Sequence, residues 1–253
     1  MSIPRLKARH SPPPLQVGYR GAILWDEGER KRLTRALKQH VEGLSTWGLT
    51  DIPVMRSQVG IQPDHASASV RLERITREVE ACRRCHLYRT RTHAVVGDGS
   101  SEAKLVFVGE APGREEDIQG KPFVGAAGKL LTKMIEAMGM TRDQVYICNV
   151  LKDRPPANRT PLPEEIEACI PFLREQLAII QPRVICALGA VAAKALLGPH
   201  VSITQVRGQV RDYQGIPLVP TFHPAYLLRN PPAKKLSWAD LKKVKALLEK
   251  CDE

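Results

Sequence analysis

No apolar run in this 253-residue sequence is long enough to cross a membrane. The best, VICALGAVAA, is interrupted by glycine and falls well short of the roughly 20 residues that a spanning helix needs. The N-terminal MSIPRLKARHSPPP is basic but has no apolar core, so it does not read as a secretory leader. With neither span nor leader, a cytoplasmic location is expected. No segment repeats at a fixed period, which argues against solenoids and propellers. The phosphate-loop pattern G-x-x-x-x-G-K-[ST] is missing, and no clear pair of metal-binding carboxylates sits on the strands. A nucleotide hydrolase is therefore disfavoured. Acidic residues are scarce: 27 Asp+Glu face 38 Lys+Arg, a formal charge of +11. That deficit points to an anionic partner, most simply nucleic acid. The basic residues are spread along the chain, as on a grooved enzyme surface rather than in a basic tail. Hydrophobic residues make up 43% of the chain, enough for a real core.

There are six cysteines, and without a leader a disulfide framework is not expected. Cys82 and Cys85 form C-x-x-C in ACRRCHLYRTR. Such a pair is compatible with a redox motif, half a metal site or no function. A thioredoxin-like site would open a helix just after a strand. Here the pair follows the helical stretch VRLERITREVEA, which favours metal or cluster ligation. Cys148 in VYICNV and Cys186 in VICAL read as small buried residues of strands, and Cys251 as an exposed thiol of the tail.

Residues 1–66 read as a partly disordered N-terminal extension, with a mobile Pro- and Arg-rich start, a partly periodic helix over 26–47 and a linker over 50–66. A disordered tail is the preferred reading of this extension over a partner-binding arm. A helix over 68–81 then delivers Cys82. Residues 67–253 alternate strands and helices. Strands are expected at 104–109, 144–150, 183–189 and 217–222, with a hairpin-like QVRDY before the last. Helices are expected near 126–138, from Pro163 to Ile180, over AVAAKALL and near 234–249. The pattern predicts a three-layer α/β/α domain with a mainly parallel central sheet.

Ligands of such sheets bind outside the carboxyl ends of the strands. Four places stand there: GEAPG, Asn149, Leu188-Gly189 and His223. Glu110, Glu115, Glu116 and Asp117 put carboxylates in what reads as a rim loop, there to face a cation or simply solvated. Phe123 precedes a helix start at which Gly125 and Gly128 could let backbone N–H groups approach a phosphate. Asn149 is polar in an apolar strand, opposite in face to Cys148, and is either structural or a reader of a base edge. His223, before Pro224, is structural or a donor to substrate. Leu227 and Leu228 beside Arg229 pack in the core or wedge into a base stack.

The blocks GEAPGREED, PFVGAAGKLL, RPPANRTPLPEEIEAC, ALG and HPAYLLRNP resemble, in order, those of the family-4 uracil-DNA glycosylases, the iron–sulfur branch of their superfamily. The resemblance runs from about Cys82 to the C-terminal helix. It implies hydrolysis of the N-glycosidic bond of deoxyuridine in DNA, on a nucleotide flipped from the stack. Phe123 would then stack on uracil, and Asn149 would pair with its Watson–Crick edge. Glu110 would shape the pocket against thymine's methyl. Glu110 or Glu116 would face the sugar cation or position water, the two being unranked. His223 would donate to the anion developing at O2. Asn158 would lie near the site, and the HPAYLLRNP loop would press on DNA. The alternative is a non-catalytic DNA-binding relative; a monomer is expected in either case.

The resemblance also implies a 4Fe–4S cluster held by four cysteines, of which Cys82, Cys85 and Cys169 are present. The expected K-C-R-P-P reads KDRPP here, so Asp153 occupies the remaining position. Open readings are a carboxylate ligand, Cys148 as substitute, a three-iron cluster, zinc, or no cluster. Carboxylate is a harder ligand than thiolate and suits such clusters less well.

Overall fold

The computed structural model describes residues 66–250. The expectations for residues 1–65 and for Cys251 lie outside the described residues. Helix α1 (Ala68–Glu80) opens on Ser67, whose hydroxyl accepts from the Val70 N–H. The chain then enters a six-stranded sheet. Its strands are β1 (Asp98–Gly99), β2 (Leu105–Gly109), β3 (Tyr146–Asn149), β4 (Val184–Leu188), β5 (Arg211–Tyr213) and β6 (Ile216–Thr221). Their order is β1-β3-β2-β4-β6-β5. The four central strands are parallel, and β1 and β5 pair antiparallel at the edges.

Strands β2, β3 and β4 are buried along their whole length. Successive side chains point to opposite faces, so a strand covered on both sides must be apolar at nearly every position. Val106, Val108, Cys148 and Ile185 join the core under α4 (Pro163–Ile180) and α5 (Gly189–Leu197). Leu105, Phe107, Ile147 and Cys186 join the other, under α3 (Ala126–Ala137) and α8 (Lys234–Lys250). Both thiols are thus core residues, as the sequence suggested. Helix α4 begins with Pro163 and carries Glu164 and Glu165 in its first turn, where carboxylates meet the exposed N–H groups. Its outer side packs Phe172 and Ile179 against Ile75 and Val79 of α1. The result is the three-layer α/β/α arrangement with a mainly parallel sheet.

Short elements depart from expectation, among them edge strand β1, which had no counterpart in the sequence reading. The acidic run expected as a rim loop forms helix α2 (Arg114–Gln119). Asp117 is not solvated: its carboxylate accepts from the Thr92 N–H at 2.8 Å and the Thr92 hydroxyl at 2.9 Å. Helix α6 (Ile203–Val206) precedes β5, and the segment after His223 is helix α7 (Pro224–Arg229) rather than a loop.

The end of β6 is tied to α8 by Asp240, which is buried. Its carboxylate accepts from Arg207 Nη2 at 2.6 Å, Arg207 Nε at 3.1 Å and the Thr221 hydroxyl at 2.8 Å. Removing one partner leaves the others desolvated and unpaired. Asp240→Ala should cost about 3 kcal/mol and lower the thermal midpoint by roughly 5–10 °C. Thermal unfolding of the variant beside the parent chain checks this.

Candidate active site

The chain runs from β2 to β3 on one side, then returns to β4 on the other side of β2. That reversal leaves a crevice at the carboxyl ends of the strands. A cavity of about 620 Å³ lies there. Glu110 follows β2, Asn149 ends β3 and His223 follows β6; all three line it, with Glu116, Phe123, Gly125, Asn158 and Arg229.

Phe123 sits in the left-handed region, with φ of 53°. This conformation is costly for a bulky residue and persists only where neighbours enforce it. Three do so. The Glu116 carboxylate accepts the N–H groups of Gly113, Val124 and Gly125, at 3.1, 2.9 and 2.9 Å. Arg142 donates to the carbonyls of Phe123 and Pro122 at 3.1 and 2.9 Å. At Gly128 a Cβ would collide with the Phe123 backbone, so only glycine allows the α3 helix to come so close. The ring meets that of His223 with centroids 5.6 Å apart. A Cβ on Gly109 would strike both the Phe123 ring and the Asn149 side chain, so glycine at the end of β2 opens the floor of the cavity.

Asn149 is buried, and its Oδ1 has no hydrogen-bond partner. An orphan acceptor of this kind, beside a cavity, is completed by a donor on a ligand. The Asn149 main chain is fixed from below. Lys152, fully buried, donates from Nζ to the Asn149 carbonyl at 2.8 Å and to Gln176 Oε1 at 2.6 Å. Gln176 in turn donates to the Val96 carbonyl and the Tyr146 hydroxyl, both at 3.0 Å.

His223 has its tautomer set by the backbone. Ala225 N–H donates to its Nδ1 at 3.1 Å, so in the neutral ring Nε2 carries the proton. Burial, helped by the charge of Arg229, pushes its pKa down to about 4 against an opposing pull from Glu116. The ring is therefore a neutral N–H donor at pH 7. Gly189 makes room for it; a Cβ there would lie 2.9 Å from His223 Cβ. Burial alone raises the pKa of Glu110. Glu110 thus offers a carboxylate at the cavity wall, whereas that of Glu116 is spent on backbone N–H groups.

The remaining expected residues divide. Asn158 stands exposed at the rim, with φ of 55°, and its Oδ1 accepts from Arg154 at 2.6 Å. Leu228 is exposed and Arg229 is at the cavity edge. Three of the DNA-contact expectations need correction. Leu227 is buried against Phe222 and Ala233, because the six-residue helix α7 turns it inward. Gly128 serves the Phe123 backbone instead of a phosphate. The Gly125 N–H is already donated to Glu116.

The metal corner also differs from expectation. Cys82 and Cys85 pack against the patch that contains Cys169. Asp153, however, is taken by Arg91, whose Nη1 lies 3.0 and 3.1 Å from its two oxygens. Cys148 lies in the sheet core and does not replace it. Among the described residues no group of three or more His, Cys, Asp or Glu side chains is placed to hold a metal ion. The residues present do not fit a four-ligand cluster.

Arg142 and the Lys152–Gln176 pair escaped the sequence reading. Arg142 grips the Phe123 turn from 19 residues away, with no local signal. Lys152 could have been suspected only as a lysine within an otherwise apolar strand exit, NVLK.

The fold and this rim describe an α/β domain with a pocket at the carboxyl ends of its strands, and comparison with known proteins gives its family. A sequence model of the Uracil DNA glycosylase superfamily matches residues 96–242, and the chain belongs to that family. Within it, the chain is 49% identical over 183 residues to the Type-4 uracil-DNA glycosylase of Thermotoga maritima, covering 71% of this chain and 95% of the relative. It is 44% identical over 187 residues to that of Archaeoglobus fulgidus, covering 71% and 94%. Among the described residues no helix is long and apolar enough to cross a membrane.

The depressed pKa of His223 has a consequence for stability. Between its ordinary value of 6.5 and about 4, the unfolded chain binds a proton there and the folded chain does not. Stability therefore falls as pH drops through this window, by up to about 3 kcal/mol from this group. Denaturant unfolding at several pH values should show a shallower dependence in His223→Ala; an unchanged slope would refute the assignment.

Proposed function

We propose that this chain hydrolyses the N-glycosidic bond of deoxyuridine in DNA, releasing uracil and leaving an abasic site. The observation that carries the reading is the unpartnered, buried Oδ1 of Asn149 beside the Phe123 and His223 rings. The names of the Type-4 relatives support it. A flipped uracil stacks on Phe123 and gives its N3–H to Asn149 Oδ1. Cytosine has a lone pair at N3 and would face that oxygen with repulsion. The His223 Nε2–H donates to uracil O2 as negative charge develops there on loss of the base. A fixed neutral donor in a dry site stabilises that charge without surrendering its proton. The positive sugar that remains is faced by Glu110, which acts there as a carboxylate and also orients the attacking water. Glu116 acts one step back, by holding the Phe123 turn. No lysine nucleophile and no metal is invoked.

Tyr226 and Arg229 stand exposed on α7 at the cavity edge with Leu228 exposed beside them, and these meet the DNA, while the excess of Lys and Arg holds phosphates. In this reading the chain works as a cytoplasmic monomer on uracil-containing DNA. Residues 1–66 are an extension of the 67–253 catalytic domain.

The test is alkali cleavage of a labelled oligonucleotide carrying one uracil, with thymine and cytosine counterparts. Cleavage should occur at uracil alone. His223→Ala should lower kcat about 10²–10³-fold, and Glu110→Gln about 10²-fold or more. Glu110 must be ionised, so kcat should fall as pH drops through its raised pKa, and this limb should vanish in Glu110→Gln. Asn149→Asp should lose uracil against cytosine discrimination. Binding without cleavage, with loss of affinity at higher salt, would instead mark a non-catalytic DNA-binding relative.

A further inference from the structure

The disagreement at the metal corner has a structural counterpart. Asp153 stands 16 residues before Cys169, where the resemblance expects a thiolate. In its place is a carboxylate with both oxygens engaged by one guanidinium nitrogen, at 3.0 and 3.1 Å. The same nitrogen reaches the Val79 carbonyl at 3.2 Å, and Nη2 donates to the Glu80 carbonyl. The pair is largely dry, with side-chain exposures of 13% for Arg91 and 10% for Asp153. Arg91 thereby joins three pieces of chain: the end of α1, the 81–91 segment that bears Cys82 and Cys85, and the loop leaving β3. These are the pieces that ligands of one cluster would otherwise join. A metal at Asp153 would have to displace a guanidinium and take an oxygen ligand poorly suited to iron–sulfur chemistry.

We propose that the Arg91–Asp153 ion pair takes the place of the fourth cluster ligand, and that this chain closes the Cys82–Cys85–Cys169 corner and folds without a 4Fe–4S cluster. The three thiols remain as the other part of a site whose closing element has changed from metal to charge. The proposal does not depend on the glycosylase reading.

The experiment uses the full chain, prepared without oxygen and supplied with iron and sulfide, alongside Arg91→Met, Asp153→Asn and Asp153→Cys. Iron, sulfide and zinc per chain, visible absorption and thermal midpoint are measured. The parent chain should carry far less than one cluster and no stoichiometric zinc. Its midpoint should not change on chelation. Arg91→Met and Asp153→Asn should each lower that midpoint by roughly 5–10 °C, and the double variant by less than the sum. Asp153→Cys should gain iron, sulfide and visible absorption. A full cluster or stoichiometric zinc in the parent chain would overturn the proposal. So would parent-like midpoints in both single variants, or failure of Asp153→Cys to load, since Asp153 is argued to be the single ligand missing.

Discussion

A phenylalanine held at φ 53° governs the shape of the cavity. Left to itself, a non-glycine residue prefers to leave this region, and relaxation of the turn would carry the aromatic ring away from His223. What prevents it is a closed arrangement of unlike parts. A carboxylate collects three N–H groups around the turn, an arginine collects the two carbonyls, and a glycine lets α3 press on the backbone from behind. None of the three would suffice alone. Without Glu116 the N–H groups lose their acceptor; without Arg142 the carbonyls lose their donor; with any side chain at residue 128 the turn has no space. The strain is thus stored by the fold and not by the ligand, which meets a ring already in place.

The same economy explains the histidine. A general acid would need a pKa near the working pH. His223 is instead pushed far below it by burial and a nearby arginine, and its Nδ1 is committed to a backbone N–H. These two facts leave one chemical ability at neutral pH, donation of a hydrogen bond from Nε2. That suits a leaving group which departs as a stable anion and requires no proton. Glu110 and Glu116 part company by a similar logic. They stand six residues apart on one rim, but only Glu110 lacks the backbone contacts that fix a carboxylate into a structural role.

Much of the sheet was legible because its central strands are covered on both faces. Covering forces runs such as LVFVG and VICAL, which stand out without any alternation. The strand ends then named Glu110, Asn149 and His223. The short elements were not legible. REEDIQ contains a single large apolar residue, Ile118, and that residue is half exposed, so helix α2 has no hydrophobic period to betray it. Leu227 and Leu228 are adjacent and chemically alike; only the docking of α7 decides that one is buried and the other exposed. Gly128 resembled a phosphate-loop glycine because sequence shows the absence of a side chain, not what fills the space. Arg91 and Asp153 lie 62 residues apart, and nothing local to either residue announces their partnership.

The loop between β3 and α4 brings these observations together. At one end Asp153 is held by Arg91. At the other, Glu165, fully buried, receives Arg159 at 2.5 and 2.9 Å and His86 at 3.1 Å. Arg91 and His86 both belong to the stretch that follows the C-x-x-C pair, and Asn158 and Arg159 both line the cavity. The wall of the pocket is therefore moored to the cysteine-bearing segment at two points, the Arg91–Asp153 ion pair and the His86–Glu165 contact. The Arg91–Asp153 pair is shielded from water on both sides, the condition under which an ion pair is least screened by salt. A wall anchored in this way can keep its position whether or not the thiols below it are bridged. If Asp153 stands where a thiolate is expected, the pocket keeps its wall as long as that carboxylate keeps its arginine.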